Sequence, residues 1–315
     1  MSQKITFIGE CMVELRNAEG NSYTERFSGD TLNTAVYLSR LTHDMDVSVH
    51  YVSAVGTDAL SDRMLAFIQE EGVCCDAVVR IQKKMPGLYI VNTDNNGERS
   101  FSYWRNDSAA KFMFQFCDKW SHFESLVESS IIYLSGITLA IFSEPDKEIL
   151  ISLIQRLSAA GCTICFDDNY RMNLWDDQEQ ARCWYAQLLK ICDIAFLSFD
   201  DEMALWDIQN LDDVFAQAEK FNITEVVVKQ GDGVSHIQKA QHHFTVGAHR
   251  VEKEKVIDTT AAGDSFNAGY LAKRLAGEES PVVCANAGHT LASHVIQHRG
   301  AIIAKELMPT SLLRN

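Results

Sequence analysis

The sequence has few basic residues for its size. Of its 315 residues, 28 are Lys or Arg and 43 are Asp or Glu, which gives a formal net charge of −15. A non-specific nucleic-acid binder needs a basic face to displace counterions, and an anionic membrane repels an acidic surface. The composition therefore argues against both kinds of partner, although a local positive site could still bind an anionic ligand.

Long apolar runs and a regular cysteine spacing are also missing. The longest apolar stretch, residues 131–142, is too short to span a bilayer, and the first residues do not resemble a signal peptide. The nine cysteines are scattered, and no second Cys or His pair accompanies Cys162 and Cys165 at a metal-ligand spacing. We therefore expect a cytoplasmic protein with reduced thiols, in which Cys162 and Cys165 are core residues.

Strand-like and helix-like patterns alternate along the chain, which is 46% hydrophobic. Helices are predicted after Gly29-Asp30, from a cap at Ser61, and from Pro145 to an end at Gly161. This alternation predicts a mostly parallel sheet covered by helices. With only four prolines and no visible linker or repeat, residues 1–315 are expected to form one domain. The predicted strands are residues 5–9, 47–54, 131–134, 162–166, 194–197 and 226–229.

Two stretches interrupt this alternation. Residues 21–27 and 86–105 look like β-ribbons, and the run TDNNG at 93–97 is typical of a hairpin turn. We expect a small sheet that stands off the main one. It would serve as a lid, pair two subunits into a homo-oligomer, or be an ordinary surface hairpin.

The segment DTTAAGDSFNAG at residues 258–269 points to chemistry. Small residues precede a predicted helix, so unpaired backbone N–H groups at its start favour an anion. Asp264 is an acid placed inside that anion site. It suits a general base that takes a proton from a hydroxyl beside a phosphoryl group, but a simple helix-capping acid fits the spacing equally well.

This segment resembles the DTxGAGD signature of the ribokinase-like (phosphofructokinase B-type) carbohydrate kinases. The resemblance covers nearly the whole chain: FSGDTLNTA at 27–35 is similar to the glycine-rich N-terminal motif of the family, and VGTD follows at 55–58. Further runs resemble the members that phosphorylate 2-keto-3-deoxygluconate: GECMVE at 9–14, GLY at 87–89, YWR at 103–105 and DDNYR at 167–171.

The resemblance implies a ribokinase-like three-layer α/β/α fold with a small β-sheet lid. ATP, as its Mg²⁺ complex, would phosphorylate the C6 hydroxyl of the sugar acid to give 2-keto-3-deoxy-6-phosphogluconate. Asp264 would be the catalytic base, and the amides of Ala261, Ala262 and Gly263 would form an anion hole. The implied substrate ligands are Gly29, Asp30, Asn33, Tyr89, Tyr103, Arg105, Arg171 and Asp264; the implied nucleotide ligands are Asn169, Lys229, Gly231, Gly233 and Asn286.

The two arginines favour an acidic substrate. A carboxylate is the group that Arg binds bidentately, whereas the neutral sugar of a fructokinase or ribokinase would leave Arg105 and Arg171 without a partner. A dinucleotide-dependent dehydrogenase is disfavoured because no GxGxxG follows the first strand. The presence of Asp264 argues against a third alternative, a non-catalytic sugar-binding relative.

The chain departs from the family pattern at two places. Ala261 stands where the signature has glycine, which costs little if its φ is negative. Ser198 stands where the Asn-x-x-Glu magnesium motif has Asn. Asp201 or Glu202 could therefore organise Mg²⁺ through water, or either could be a helix first-turn acid.

Overall fold

The computed structural model describes residues 3–17, 22–93, 99–231 and 233–313. Its strands are β1 (Gln3–Ile8), β2 (Met12–Asn17), β3 (Tyr23–Ser28), β4 (Val47–Val52), β5 (Ala54–Val55), β6 (Val73–Cys74), β7 (Val79–Arg80), β8 (Gly87–Thr93), β9 (Arg99–Trp104), β10 (Ile131–Ser135), β11 (Thr163–Asp167), β12 (Ile194–Ser198), β13 (Glu225–Gln230), β14 (Val234–Lys239) and β15 (His242–Gly247). Its α-helices are α1 (Asp30–Leu41), α2 (Ala59–Glu70), α3 (Lys119–His122), α4 (Gly136–Ile141), α5 (Glu144–Ala159), α6 (Gln178–Leu189), α7 (Phe199–Trp206), α8 (Leu211–Lys220), α9 (Ala262–Leu275), α10 (Pro281–Val295) and α11 (Thr310–Leu313).

The main sheet has the strand order β15-β14-β13-β12-β11-β10-β1-β4-β6. All neighbours from β13 to β6 run parallel, and β14 and β15 add an antiparallel edge. Each of the six predicted strands lies in this sheet, so the predicted mostly parallel α/β fold is confirmed.

Helices cover both faces of the sheet. Because side chains alternate along a strand, Ile164 and Phe166 of β11 join a core with α5 and α6, while Cys165 faces a core with α1, α9 and α10. The three layers follow from this two-sided burial. Cys162 and Cys165 are buried free thiols, as expected.

A second sheet, which we call the lid sheet, has the order β3-β2-β8-β9. It confirms that the two predicted ribbons stand off the main sheet. Strand β2 was not predicted, and it pairs in parallel with β8 at the centre of the lid sheet. Asn21 and residues 94–98 of the predicted hairpin lie outside the described residues.

The helix starts follow local capping. Helix α5 has Pro145 in its first turn, and Gly161 after its end has a φ of +98°, both as predicted. Helix α2 begins earlier than expected, because Asp58 accepts the N–H groups of Leu60 and Ser61, each at 3.0 Å. The predicted cap at Ser61 is therefore wrong. Among the described helices, none is both long and apolar enough to cross a bilayer.

Candidate active site

A cleft of about 880 Å³ opens where β11, β12 and β13 end, beneath one face of the lid sheet. Parallel strands bring their carboxyl ends to one edge, which is where open α/β sheets bind ligands. Asp167, Ser198 and Lys229 come from those strand ends, and the start of α9 faces them. The cleft brings together most of the predicted site residues: Gly29, Asp30, Asn33, Tyr89, Tyr103, Asn169, Arg171, Asp201, Lys229, Gly231, Ala261, Ala262, Gly263 and Asp264.

Asp264 lies in the first turn of α9. Burial raises the pKa of its carboxyl to about 8, and the negative charges of Asp30 and Asp167 add to that effect. The Asn33 amide donates to Asp264 Oδ2 at 2.8 Å and fixes the orientation of the carboxyl. A carboxylate that binds a proton near neutral pH and is held in one orientation has the properties of a general base.

The anion loop, defined as residues 259–263, leads into α9. Its Ala261 has a φ of +61°, so the alanine does not have the negative φ that would make it a cheap replacement for glycine. The left-handed conformation costs a non-glycine residue roughly 1–2 kcal/mol. The Ala262 N–H donates to the Thr259 carbonyl at 3.2 Å, which tightens the turn and occupies one of the three amides predicted for the anion hole. The first N–H groups of α9 have no earlier helical carbonyl to pair with, as an anion site requires.

Lys229 supplies a cation beside this loop. Its Nζ lies 2.9 Å from Asp167 Oδ1 and 3.3 Å from Asn267 Oδ1, and it is 3.4 Å from where a Cβ on Gly263 would stand. Burial lowers the pKa of the ammonium, but the charges of Asp167 and Asp168 outweigh burial and raise the pKa above its ordinary value. Lys229 therefore stays charged at the point where the loop would hold a phosphoryl group.

Acids that follow the two neighbouring strands β11 and β12 cluster in the cleft with the anion loop. Burial raises the pKa of Asp168 and Asp201, and other acids around them raise it further. Asp168 accepts the N–H of Ser198 at 2.7 Å, and Asp201 lies 3.7 Å from Arg171 Nη1. Glu202 is buried outside the cleft lining, and burial followed by the Asp201 charge raises its pKa to about 8.

This acid cluster fits a hydrated cation. Within the described residues, no three His, Cys, Asp or Glu side chains are arranged to hold a metal by themselves. Neighbouring carboxylates that raise each other's pKa nevertheless repel one another when ionised, and a divalent cation between them would relieve that repulsion. Mg²⁺ usually keeps several waters and binds through one or two carboxylates together with substrate phosphates. Asp168 and Asp201 fit that mode, whereas Glu202 does not reach the cleft.

One side of the cleft lies under the lid sheet. Tyr89, Tyr103 and Phe101 form an aromatic group there, with ring centroids 5.7–6.3 Å apart. Asp30 accepts the amide of Asn169 at 2.7 Å across the floor. Gly29 lies at a close approach of two segments, because a Cβ there would stand 2.1 Å from the Glu10 carbonyl oxygen. Any other residue at Gly29 would force this wall of the cleft apart.

Three other predicted ligands do not line the cleft. Arg105 is buried and ion-paired with Glu10 through its Nη2. Asn286 lies on α10 and donates to the Val282 carbonyl at 2.9 Å. Gly233 follows Asp232, which is outside the described residues, and its N–H donates to the Gln230 carbonyl at 2.9 Å. Their predicted binding roles stay predictions.

Several cleft residues were not assigned from the sequence. They include Asp167 and Asp168, whose signal was available, because they follow a predicted buried strand at its carboxyl end. Thr259, Thr260 and Ser198 also line the cleft. Lys229 was assigned to the nucleotide alone, since its closeness to Gly263 depends on a contact between distant segments.

Comparison with known proteins agrees with this geometry. Residues 2–307 match the family described as "pfkB family carbohydrate kinase". The chain is 47% identical to a 2-dehydro-3-deoxygluconokinase of Escherichia coli K12 and 44% identical to one of Dickeya dadantii, covering 98% of this chain and 99–100% of those proteins. The crystal structure of a fructokinase with bound ATP from Xylella fastidiosa is similar in fold, with a TM-score of 0.83, 22% identity and coverage of 100% of this chain and 99% of that one. A signature at the start of α9, a family match over almost the whole chain and close full-length relatives lead to one assignment: the chain belongs to the pfkB family of ATP-dependent carbohydrate kinases.

Proposed function

We propose that this protein transfers the γ-phosphoryl group of ATP to the C6 hydroxyl of 2-keto-3-deoxygluconate, giving 2-keto-3-deoxy-6-phosphogluconate. The observation that carries the proposal is the 43–47% identity, over 96–98% of this chain, to proteins named for this substrate under its synonym 2-dehydro-3-deoxygluconate. The cleft supports it, because the base Asp264 lies between two parts of the lining. One is the anion loop with the Lys229 ammonium, and the other is the polar wall under the lid sheet, where the sugar would bind.

Asp264 accepts the proton of the C6 hydroxyl as that oxygen bonds to the γ-phosphorus. The bond from the γ-phosphorus to the bridging oxygen breaks, and ADP leaves with its electron pair. The N–H groups of Ala261 and Gly263 in the anion loop and the Lys229 ammonium offset the charge on the transferring group. Asp168 and Asp201 would hold hydrated Mg²⁺, which neutralises phosphate charge when it is bound with the nucleotide.

Arg171 is our choice for reading the substrate carboxylate. Its side chain is 53% exposed and lines the cleft. Nη1 donates to the Tyr170 carbonyl at 2.8 Å and lies 3.7 Å from Asp201, so the rest of the guanidinium can face a ligand. Tyr89, Tyr103, Asp30 and Asn33 would bind the sugar hydroxyls. A charge-assisted contact to the carboxylate contributes about 1.5–3 kcal/mol, or roughly 10–150-fold in affinity.

A coupled ATP-consumption assay tests the substrate. The panel is 2-keto-3-deoxygluconate, gluconate, fructose, ribose and adenosine, together with an analogue of the first in which the carboxylate is reduced to an alcohol. We expect the highest kcat/KM for 2-keto-3-deoxygluconate and a value roughly 10–150-fold lower for the alcohol. The Asp264→Asn protein, purified identically, controls for contaminating kinases. A higher kcat/KM for fructose or ribose would contradict the proposal.

We also propose that the lid sheet pairs two copies of the chain and that the protein works in the cytoplasm. The edge strands β3 and β9 each have one neighbour in the lid sheet and carry the exposed residues Tyr23 and Trp104. Unpaired strand edges with apolar side chains favour pairing. All nine cysteines lie among the described residues and none forms a disulfide, which suits a reducing compartment. Light scattering at micromolar concentration tests the pairing, and a monomer would exclude it.

A further inference from the structure

A buried ion-pair chain joins the lid sheet to the anion loop. Arg16 on β2 donates from Nη1 to Asp258 Oδ2 at 2.7 Å and from Nε to Glu14 Oε1 at 3.1 Å. The carboxylates of Glu14 and Asp258 are each only 1% exposed. One guanidinium therefore lies between two buried negative charges, one in the lid sheet and one immediately before the anion loop.

The Asp258 end of this chain fixes the loop backbone. Asp258 Oδ1 accepts the N–H of Thr260 at 3.0 Å, and Oδ2 also accepts the N–H of Gly300 at 3.0 Å. Burial alone raises the pKa of Asp258, but the hydrogen bonds from Thr260, Gly300 and Arg16 outweigh burial and hold the pKa below its usual range. Asp258 is thus a charged anchor whose position sets that of Thr260.

The Glu14 end leads to the sugar site. The Tyr89 hydroxyl donates to Glu14 Oε2 at 2.5 Å, and the Ser28 hydroxyl donates to the Tyr89 oxygen at 2.5 Å. Tyr89 and Ser28 both line the cleft. A continuous set of hydrogen bonds therefore runs from the wall beside the sugar, through Glu14 and Arg16, to the anion loop.

We propose that Arg16 is a positioning residue that couples occupancy of the sugar site to the geometry of the anion loop. A sugar that orders Tyr89 fixes Glu14, and Arg16 carries that order to Asp258 and so to Thr260. Sugar and nucleotide then strengthen each other's binding, and the effect is reciprocal. The inference rests on the proposed function only in placing the sugar under the lid sheet. Arg16 Nη2 is buried without a hydrogen-bond partner among the described residues.

Two variants remove the coupling while limiting structural damage. Arg16→Lys keeps the charge but cannot bond Glu14 and Asp258 from a planar fork. The double variant Glu14→Gln/Arg16→Met removes the bridge together with one of the two acids, so that fewer buried charges are left unpaired. The matched control is Arg63→Met. Arg63 on α2 pairs with Glu25 of β3 at 2.8 Å, its side chain is 56% exposed, and neither residue belongs to the set of bonds through Glu14, Arg16 and Asp258.

The measurement is the Kd of a non-hydrolysable ATP analogue with Mg²⁺, by calorimetry, with and without a saturating sugar. The sugar is whichever member of the substrate panel the wild-type protein phosphorylates best. We expect the sugar to tighten analogue binding about 5–150-fold in the wild type and in the control, and less than about twofold in both Arg16 variants. Analogue binding without sugar should change little, and kcat should fall about tenfold or more, since loop misplacement acts on the transition state.

A merely structural role for Arg16 gives a different result. If the folded variants keep the wild-type coupling factor, or if the wild type itself shows none, the inference is overturned. It is likewise overturned if the variants lose affinity for sugar and analogue separately while their coupling factor is unchanged. A wild-type preference for another sugar would overturn the proposed substrate alone, because the coupling is then measured with that sugar.

Discussion

Replacing Asp264 by Asn is the sharpest test of the catalytic base, because the two side chains share a shape and differ in proton acceptance. Burial, then the charges of Asp30 and Asp167, raise the pKa of Asp264 to about 8 in the cleft. The pH dependence of kcat/KM reports the free enzyme, so this value should rise with pH and level off above about 8. At pH 6 about one carboxyl in a hundred is ionised, and kcat/KM should be about 100-fold below its plateau.

The Asp264→Asn protein should lose about 10²–10⁴ in kcat at pH 8, with a smaller change in KM for the sugar acid. Its stability gives a second readout. An acid whose pKa is raised on folding destabilises the folded state as pH rises above its unfolded value of 3.8, so the variant should melt at or above the wild-type Tm at pH 8. Asp44→Asn, a change at an exposed acid on the surface, is the control. A variant that keeps more than half of wild-type kcat, or a kcat/KM that is flat from pH 6 to 8, would refute the base.

Three further substitutions test other contacts. Arg105→Ala should lower the free energy of unfolding in urea by about 3–5 kcal/mol, because it leaves Glu10 buried and unpaired. Adding Glu10→Gln to the same chain should recover much of that loss. A raised KM with unchanged stability would instead make Arg105 a substrate ligand. Burial and the charge of Asp201 raise the pKa of Glu202 to about 8, so stability should fall as pH rises from the ordinary pKa of 4.5 toward 8. Glu202→Gln should reduce the fall in Tm between about pH 5 and 8.5. The same slope of Tm against pH in the variant and the wild type would contradict this. Ala261→Gly should remove the cost of a φ of +61° at a non-glycine residue and stabilise the protein by about 1 kcal/mol, which raises the Tm by about 1–3 °C. A lowered Tm would show that the alanine is unstrained.

The main sheet was predictable because its central strands are covered on both faces. Strands β10, β11 and β12 are short apolar runs, which is the pattern of buried parallel strands. Strands β2 and β14 were missed, since their sequences MVELRN and VSHIQK mix polar and apolar residues and contain no turn signal. Such strands are recognised by their partners, and the central partner of β2 in the lid sheet, β8, comes from a distant part of the chain.

The candidate site was predictable where its residues are adjacent in sequence. The anion loop and Asp264 lie within one short run, so the motif specifies both. Contacts between distant segments were not predictable, and the pairing of Arg105 with Glu10 is the clearest case. A sequence pattern shows that Arg105 follows an aromatic ribbon, but it does not show which carboxylate the guanidinium meets. The positive φ of Ala261 was not predictable either, because a sequence motif does not give backbone angles.

The cleft is acidic, yet it can accept an anionic nucleotide, because its basic residues and the N–H groups of the anion loop lie beside its aspartates. After burial, the charges of Asp30 and Asp167 raise the pKa of Asp264, so these three acids are not all readily ionised in the cleft without a ligand. Among the described lining residues, Lys229 and Arg171 are the only basic ones, and each is paired with an aspartate. Binding of ATP with a divalent cation would change both sides of this balance, since the cation would relieve the acids while the phosphates would meet Lys229 and the anion loop. On the proposed binding mode, such a cleft would favour the metal–nucleotide complex over the free nucleotide, and an overall charge of −15 would not oppose that preference.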